Sequence, residues 1–211
     1  MTVGIIDYGV GNLGSVFRAL ESIDFKAKIL NKPSDLSNVS KIILPGVGNF
    51  TDCKRLLDNS GWSDSLHYHV LEGGLPMLGI CIGMHLLAEY GVEGSSEDQS
   101  TPGLGFISGS VESLKKLGCC ERVPHMGWNS VVPRIDSSLF VNIPKNTDFY
   151  FVHSYAFVPK SDDHATAFTT HGVDIVAALK KDNIYGTQFH PEKSSRAGLT
   201  VLRNFLNASQ C

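Results

Sequence analysis

The stretch LGICIGMH, residues 78–85, places Cys81 between Gly79 and Gly83 at the end of an apolar run. A strand that enters a helix through a very tight turn strains its apex residue and needs small neighbours two positions away. The two glycines meet that need. Cys81 would project from the carboxyl edge of a sheet, at a helix N-terminus that favours the nucleophilic thiolate. The same spacing also fits a buried core cysteine beside a Gly-rich turn.

A nucleophilic thiol needs a base, and YGTQFHPEKS, residues 185–194, offers one near the end of the chain. His190 closes a strand-like run, and Glu192 follows after Pro191, which stiffens the link. A carboxylate beside an imidazole fixes its tautomer and stabilises the imidazolium. Cys81, His190 and Glu192 are therefore candidates for a catalytic triad, although a histidine and a glutamate at this spacing also occur by chance.

A third motif is LPGVGNF, residues 44–50, which follows the strand-like run KIIL. Glycines at the end of a strand let backbone N–H groups approach an anion closely. Such a loop could stabilise the oxyanion of a tetrahedral intermediate. Taken alone, it also fits an ordinary Gly-rich turn. The segment DYGVGN, residues 7–12, lacks both G-x-G-x-x-G and a Walker lysine, so we interpret it as structural or partner-facing.

Strand and helix patterns alternate along the first half of the chain. Strands are predicted at TVGIID, KAKIL, KIILPGVG and LPMLGIC, and helices at LGSVFRALESI, CKRLLDNSGW and GMHLLAEYG. This alternation favours a mostly parallel sheet covered on both faces. Residues 92–103 are polar and predict a surface loop. Beyond it, FYFVHSYAFV, GVDIVAAL and NIYGTQFH are typical of antiparallel strands, and AGLTVLRNFLNA predicts a closing helix.

Composition argues against several classes of protein. The 211 residues are 42% hydrophobic, enough for one domain with a sizeable core. The net charge of −3, without a Lys/Arg-rich block, argues against nucleic-acid binding. We find no signal peptide and no stretch near the roughly 18 apolar residues of a membrane span. No CxxC pair suggests zinc. An odd cysteine count indicates a reducing cytoplasm: Cys53, Cys81, Cys119, Cys120 and Cys211.

In the order loop, cysteine turn and H-P-E, these motifs resemble the class I (triad) glutamine amidotransferases over essentially the whole chain. VPHMGWN and YFVHSY, residues 123–129 and 150–155, are the segments that best distinguish branches within this family. They are similar to the branch that serves as glutaminase subunit of imidazole glycerol phosphate synthase in histidine biosynthesis. The resemblance implies that family's α/β fold as a single domain over residues 1–211. Its central sheet is mostly parallel and flanked by helices, with further antiparallel strands in the C-terminal half.

The resemblance implies that the chain hydrolyses glutamine to glutamate and ammonia. Cys81 would attack the side-chain amide, His190 would shuttle the proton, and Glu192 would orient His190. No metal or organic cofactor is implied. Glu93 would lie near the glutamine amino group, and the backbone N–H of Ile82 would join the oxyanion loop. The implied oxyanion and substrate-binding residues are Gly46, Val47, Gly48, Ile82, His85 and Glu93.

The resemblance also implies a partner, because the glutaminase fold leaves no room for an ammonia acceptor. In the histidine pathway the acceptor subunit is a separate (β/α)₈-barrel cyclase, which would form a heterodimer with this chain. Tyr150, Trp128 and Lys193 match interface positions near the ammonia passage. Neither nucleic acid nor membrane is expected as a partner. His125 and His153 lie in family motifs, and we expect them to be structural or interfacial.

One residue departs from the family pattern. Family members usually carry glutamine four residues after the nucleophile, where this chain has His85. One turn past the cysteine its side chain can face the cleft, but imidazole cannot reproduce the paired donor and acceptor of an amide. If His85 lines the pocket, we expect its protonation to affect glutamine binding between roughly pH 6 and 7.5. The alternative is that it only packs under the helix.

Three functions remain open from the sequence. The first is the glutaminase subunit of histidine biosynthesis. The second is a paralogue that supplies ammonia to a synthase of nucleotide-sugar or surface-polysaccharide biosynthesis, which the segment PGLGFISGSV and His85 keep open. The third is a regulatory module that has the fold without the activity, against which the intact set of Cys81, His190 and Glu192 argues.

Overall fold

The computed structural model describes residues 2–95, 99–135 and 137–208. Cys211 and residues 96–98 of the predicted surface loop lie outside this range. The α-helices are α1 (Leu13–Glu21), α2 (Phe50–Asn59), α3 (Trp62–Leu66), α4 (Ile82–His85) and α5 (Ser195–Asn207). The strands are β1 (Thr2–Ile6), β2 (Lys26–Leu30), β3 (Lys41–Leu44), β4 (Met77–Ile80), β5 (Tyr90–Gly91), β6 (Thr101–Pro102), β7 (Gly109–Ser113), β8 (His125–Pro133), β9 (Thr147–His153), β10 (Tyr155–Pro159), β11 (Ala165–Thr170), β12 (Asp174–Lys181) and β13 (Ile184–Thr187).

The central sheet combines parallel and antiparallel strands, as the sequence predicts. Its strand order is β2-β1-β3-β4-β13-β12-β11-β8-β9. The pairs from β2 to β13 are parallel, and those from β13 to β9 are antiparallel. Every residue of β3, β4 and β13 is buried, because both faces of these strands are covered. A second sheet has the order β10-β7-β5-β6.

The helices cover the parallel strands through apolar faces. Helix α1 packs against α5, and α2 packs against α3 and α4. In α1 the buried residues Val16, Ala19 and Leu20 recur at helical spacing, as the sequence pattern predicts. Within the described residues, no helix is long and apolar enough to cross a membrane.

Several predicted elements differ from the structure. The helix predicted at GMHLLAEYG forms only over residues 83–85, because α4 ends at His85 and Tyr90 begins a strand. NIYGTQFH yields β13, which pairs parallel with β4 and antiparallel with β12. FYFVHSYAFV breaks at Ser154 into β9 and β10, which belong to different sheets. Thr101–Pro102 forms a short strand inside the predicted surface loop. The sequence analysis missed β5, β7, β8 and β11.

Candidate active site

Cys81 lies in a strained turn between β4 and α4. Its backbone angles are φ 54° and ψ −110°, which an L-residue seldom adopts. A Cβ atom at Gly79 would lie 2.4 Å from the carbonyl oxygen of Gly83, and one at Gly83 would lie 1.8 Å from that of Leu44. Both flanking positions therefore require glycine. This geometry matches the tight turn expected from the sequence.

His190 and Cys81 meet because they follow neighbouring strands. Thr187 of β13 pairs with Ile80 of β4, so the residues beyond these strands share one edge of the sheet. The backbone N–H of Cys81 donates to the carbonyl of Thr187 at 2.8 Å. Cys81 and His190 are only 5% and 3% exposed, so both side chains are largely shielded from bulk water.

Glu192 orients the imidazole of His190. Nδ1 of His190 donates to Oε1 of Glu192 at 2.8 Å, and the two side chains are 4% and 1% exposed. The other nitrogen, Nε2, has no hydrogen-bond partner among the described residues. Burial by itself lowers the pKa of His190, but its interactions with Cys81 and Glu192 raise that pKa above its usual value. The imidazolium is therefore favoured at neutral pH and can donate a proton from Nε2.

The Gly-rich loop of residues 46–48 follows β3, the strand beside β4. Gly46 lies directly against Ile82, the residue after Cys81, since a Cβ atom at Gly46 would be 2.8 Å from Cβ of Ile82. Gly48 has φ +113°, which favours glycine. The loop thus brings backbone amides close to the turn that carries Cys81.

A pocket of about 280 Å³ lies at this sheet edge. Its lining includes most of the predicted catalytic and substrate-binding residues. It consists of Gly46, Val47, Gly48, Cys81, Ile82, His85, Glu93, Val152, His153, Ser154, Tyr155, His190 and Lys193. Of the predicted site residues, Glu192, Tyr150 and Trp128 lie outside this lining. The sequence analysis missed Val152, Ser154 and Tyr155, which lie around the break between β9 and β10.

His85 is held by Gln188, a buried residue that the sequence analysis missed. Nε2 of His85 donates to Oε1 of Gln188 at 2.8 Å, and Nε2 of Gln188 lies 4.0 Å from Sγ of Cys81. Nδ1 of His85 is buried and has no partner among the described residues. Burial lowers the pKa of His85 to about 4, although the bond to Gln188 raises it. The expected titration between pH 6 and 7.5 is therefore wrong, because the imidazole stays neutral there.

Glu93 borders the pocket beside the first turn of α2. The backbone N–H of Phe50 donates to its carboxylate at 3.3 Å. Burial raises the pKa of Glu93 to about 7, although the bond from Phe50 lowers it. The carboxyl group therefore changes charge close to neutral pH. A cationic group bound beside it would favour the ionised form.

Tyr150, Trp128 and Lys193 form a group beside the pocket. Trp128 pairs with Tyr150 across β8 and β9, and their ring centroids lie 6.1 Å apart. Nζ of Lys193 lies 5.7 Å from the centroid of the Tyr150 ring. Trp128 is 53% exposed and its strand neighbour Met126 is 62% exposed. This is an apolar surface next to the site, not part of the hydrophobic core.

A closed set of hydrogen bonds joins Tyr150 to His190. The backbone N–H of His190 donates to the carbonyl of Tyr150 at 2.9 Å. The N–H of Tyr150 donates to Oγ of Ser194 at 3.0 Å, and that hydroxyl donates to the carbonyl of His190 at 2.7 Å. The backbone of β9 therefore positions the segment that carries the imidazole. Ser194 was missed by the sequence analysis because nothing local signals this contact.

His125 and His153 form a buried neutral pair behind the pocket. Nδ1 of His153 donates to the carbonyl of Tyr155 at 2.8 Å, which leaves Nε2 to accept from Nδ1 of His125 at 2.9 Å. Nδ2 of Asn129 lies 3.1 Å from Nε2 of His125 and can donate to it. Burial, together with neighbouring histidines, lowers the pKa of both imidazoles. The contacts of His125 are structural, whereas His153 also lines the pocket.

Comparison with known proteins gives one consistent result. Residues 4–208 match the family described as glutamine amidotransferase class-I. The chain is 42% identical to the imidazole glycerol phosphate synthase subunit HisH of Moorella thermoacetica, covering 96% of this chain and 93% of that one. It is 42% identical to subunit HisH 2 of Methanococcus maripaludis, covering 97% and 98%.

Solved structures share the fold at lower identity. The chain is similar to PurLQS from Thermotoga maritima, with a TM-score of 0.74, 17% identity and coverage of 98% of this chain and 97% of that chain. A crystal structure described as a glutamine amidotransferase gives a TM-score of 0.73 at 22% identity, covering 97% and 96%. The agreement extends over nearly the whole sheet and its helices.

Proposed function

The chain belongs to the class I glutamine amidotransferase family, and from that premise we propose that it is the glutaminase subunit of an imidazole glycerol phosphate synthase. It hydrolyses glutamine to glutamate and ammonia for histidine biosynthesis. The observation that supports the proposal most strongly is the shared pocket of Cys81 and His190, with Glu192 bonded to the imidazole. Full-length relatives that are named as HisH subunits support the pathway.

The mechanism follows from the proton positions in the site. The Cys81 thiolate attacks the side-chain carbonyl carbon of glutamine, and the resulting oxyanion lies between the 46–48 loop and the N–H of Ile82. His190 donates its Nε2 proton to the leaving nitrogen as the C–N bond breaks, which releases ammonia and leaves a thioester. Glu192 stabilises the imidazolium before transfer and fixes its tautomer afterwards.

Hydrolysis of the thioester uses the same residues, but His190 now accepts a proton instead of donating one. Neutral His190 takes a proton from water, which attacks the thioester carbonyl, and the C–S bond breaks to give glutamate and the Cys81 thiolate. The ionised Glu93 holds the substrate's ammonium group at the other end of the pocket. Because Nε2 of His85 is committed to Gln188, the neutral imidazole has no free N–H group to donate to the substrate.

Ammonia is passed to a second subunit, which we propose to be a (β/α)₈-barrel cyclase in a heterodimer. The relatives are named as subunits of a synthase, which supports a partner. The exposed apolar surface of Met126 and Trp128, beside Tyr150 and Lys193, supports a docking face at the mouth of the site. We further propose one glutaminase domain over residues 1–211, and a cytoplasmic location in which the thiol stays reduced.

The decisive test is Cys81→Ala in complex with the cyclase subunit. We expect glutamine-dependent synthesis to be lost, because Cys81 is the only thiol that lines the pocket among the described residues. Synthesis from free ammonium should persist, since the acceptor chemistry belongs to the partner. Cys120→Ala, an exposed cysteine outside the pocket, is the matched control. Retention of more than a few per cent of glutaminase activity by Cys81→Ala would contradict the proposal.

A further inference from the structure

Two buried side chains hold the carbonyl groups of the oxyanion loop. Oη of Tyr8 donates to the carbonyl of Pro45 at 3.0 Å, and Sγ of Cys53 donates to the carbonyl of Val47 at 3.4 Å. Tyr8 follows β1, and Cys53 lies in the first turn of α2. The two side chains are 4% and 1% exposed. The loop is thus anchored from outside the pocket at both of its ends.

Both groups remain protonated donors at neutral pH. Burial raises the pKa of the Cys53 thiol to about 11, and the nearby carboxylates of Glu93 and Asp52 also raise it, while the contact with Tyr8 lowers it. Burial raises the pKa of Tyr8 well above its usual value. A thiolate at position 53 could not donate to a carbonyl, so the contact depends on this protonation state.

The anchored carbonyls fix the orientation of the peptides. In a trans peptide the C=O and N–H groups point in opposite directions. Val47 and Gly48 line the pocket, whereas Cys53 does not. The carbonyl of Val47 is therefore turned towards α2, and the N–H of Gly48 is turned away from Cys53. The middle peptide differs, because the carbonyl of Gly46 and the N–H of Val47 have no hydrogen-bond partner among the described residues.

We propose that Cys53 is a positioning residue for the oxyanion loop: its thiol anchors the Val47 carbonyl and, together with Tyr8, confines rotation of the loop to the Gly46–Val47 peptide. This inference rests on the proposed glutaminase function. Loss of the anchor lets the Val47–Gly48 peptide rotate as well. The loop then spends less time with its amide groups presented to the oxyanion, which lowers the rate of the chemical step.

The test separates the effect of the hydrogen-bond donor at position 53 from the effect of side-chain packing there. Cys53→Val keeps a similar volume without a donor, whereas Cys53→Ser keeps a donor. With the synthase subunit and its acceptor present, we expect Cys53→Val to lower kcat about tenfold, less than the 10²–10³ for complete loss of one oxyanion donor. KM should stay within about twofold of wild type, because the oxyanion forms only in the transition state. Cys53→Ser should keep most of the wild-type kcat.

Two outcomes would overturn this inference: an unchanged kcat in Cys53→Val, or an equal loss in the serine and valine variants. Should the valine variant fail to fold in a thermal melt, Cys53→Ala removes the donor without added bulk and takes its place. The proposed function is tested separately. If Cys81→Ala abolishes glutaminase activity while Cys53→Val has the same kcat as wild type, the proposed function stands and only the role of Cys53 is refuted.

Discussion

At the scale of single residues, burial moves the pKa of two pocket groups in opposite directions. It raises the pKa of Glu93 to about 7 and lowers that of His85 to about 4, because burial disfavours the charged form of each. Near neutral pH, Glu93 changes charge while His85 stays neutral. Of these two groups, we therefore expect Glu93 to be the source of a pH dependence of glutamine binding in this range.

We expect KM for glutamine to fall as pH rises from about 6 to about 8, since ionised Glu93 pairs with the substrate's ammonium group. Glu93→Gln should remove this dependence and raise KM at the higher pH about tenfold or more, because hydrogen bonds to charged groups contribute about 1.5–3 kcal/mol. The effect on kcat should be smaller, since Glu93 lies away from the reacting carbonyl. Steady-state kinetics at several pH values measure both constants.

Two further variants show whether the assignment to Glu93 is correct. His85→Gln should keep the pH dependence even if it shifts KM, because the histidine does not titrate in this range. Glu72→Gln, at an exposed carboxylate, is the matched control and should leave both constants unchanged. A dependence that survives in Glu93→Gln and disappears in His85→Gln would contradict the assignment.

The sequence predicted site residues with a local signature and missed those defined by distant contacts. Gly79 and Gly83 mark the strained turn at Cys81, and H-P-E marks the base. Gln188 and Ser194 act through segments far away in the chain, namely His85 and Tyr150. Their side chains have no pattern of their own, so only the folded arrangement reveals them.

At the scale of elements, the connection from β3 to α2 determines, in the proposed mechanism, whether the oxyanion site is complete. Its Gly46–Val47 peptide can present either C=O or N–H to the intermediate, and only the N–H stabilises an oxyanion. The described residues provide no hydrogen bond that favours one orientation. The energetic balance between the two orientations is therefore open to influence from a partner.

We expect the isolated chain to be a poor glutaminase that is stimulated by its synthase subunit with acceptor bound. One missing oxyanion donor costs on the order of 10²–10³ in rate, which sets the size of the stimulation. Glutaminase assays of the chain alone, with the partner, and with partner and acceptor measure it. Equal rates under all three conditions would show that the loop is already complete in the isolated chain.

The predictions of helices and strands failed where a segment is buried on every side, because its sequence then lacks the alternation of apolar and polar residues that distinguishes a helix from a strand. Leu86, Leu87 and Ala88 are all fully buried, so the apolar run after α4 looks like a helix although the chain turns there. Strand β13 is buried at every position, and its sequence does not show whether its neighbours run parallel. Strands β5 and β6 have two residues each, too few for any period.

At the scale of the whole molecule, the strand–helix alternation predicted the parallel half of the sheet. Strand propensity predicted β9 and β12 of the antiparallel half but missed β8 and β11. Strand order and register could not be predicted from the sequence, because they depend on which distant segments pair. The exposed group around Trp128 is likewise a property of the assembled sheet, since neighbouring strands must meet before Trp128 and Tyr150 form one surface.

We expect Trp128→Ala to weaken binding of the synthase subunit. Large aromatic side chains at the centre of an interface often contribute 2 kcal/mol or more, so the Kd should rise by at least about tenfold. Tyr68→Ala is the matched control, because this aromatic residue is 61% exposed on a helical turn outside the proposed face. Titration calorimetry with the purified subunit gives both Kd values. Equal affinities of the two variants would exclude Trp128 from the interface.

The hydrogen bonds that join Tyr150, Ser194 and His190 connect the backbone of the proposed docking face directly to that of the proposed catalytic base. A subunit that touches the Tyr150 ring acts on the strand whose amide and carbonyl hold the base in place. Coupling between two binding sites is reciprocal. If the subunit raises the affinity of this chain for glutamine by some factor, glutamine raises its affinity for the subunit by the same factor. If the proposed subunit tightens glutamine binding, glutamine in the pocket therefore strengthens binding of that subunit before any ammonia is made.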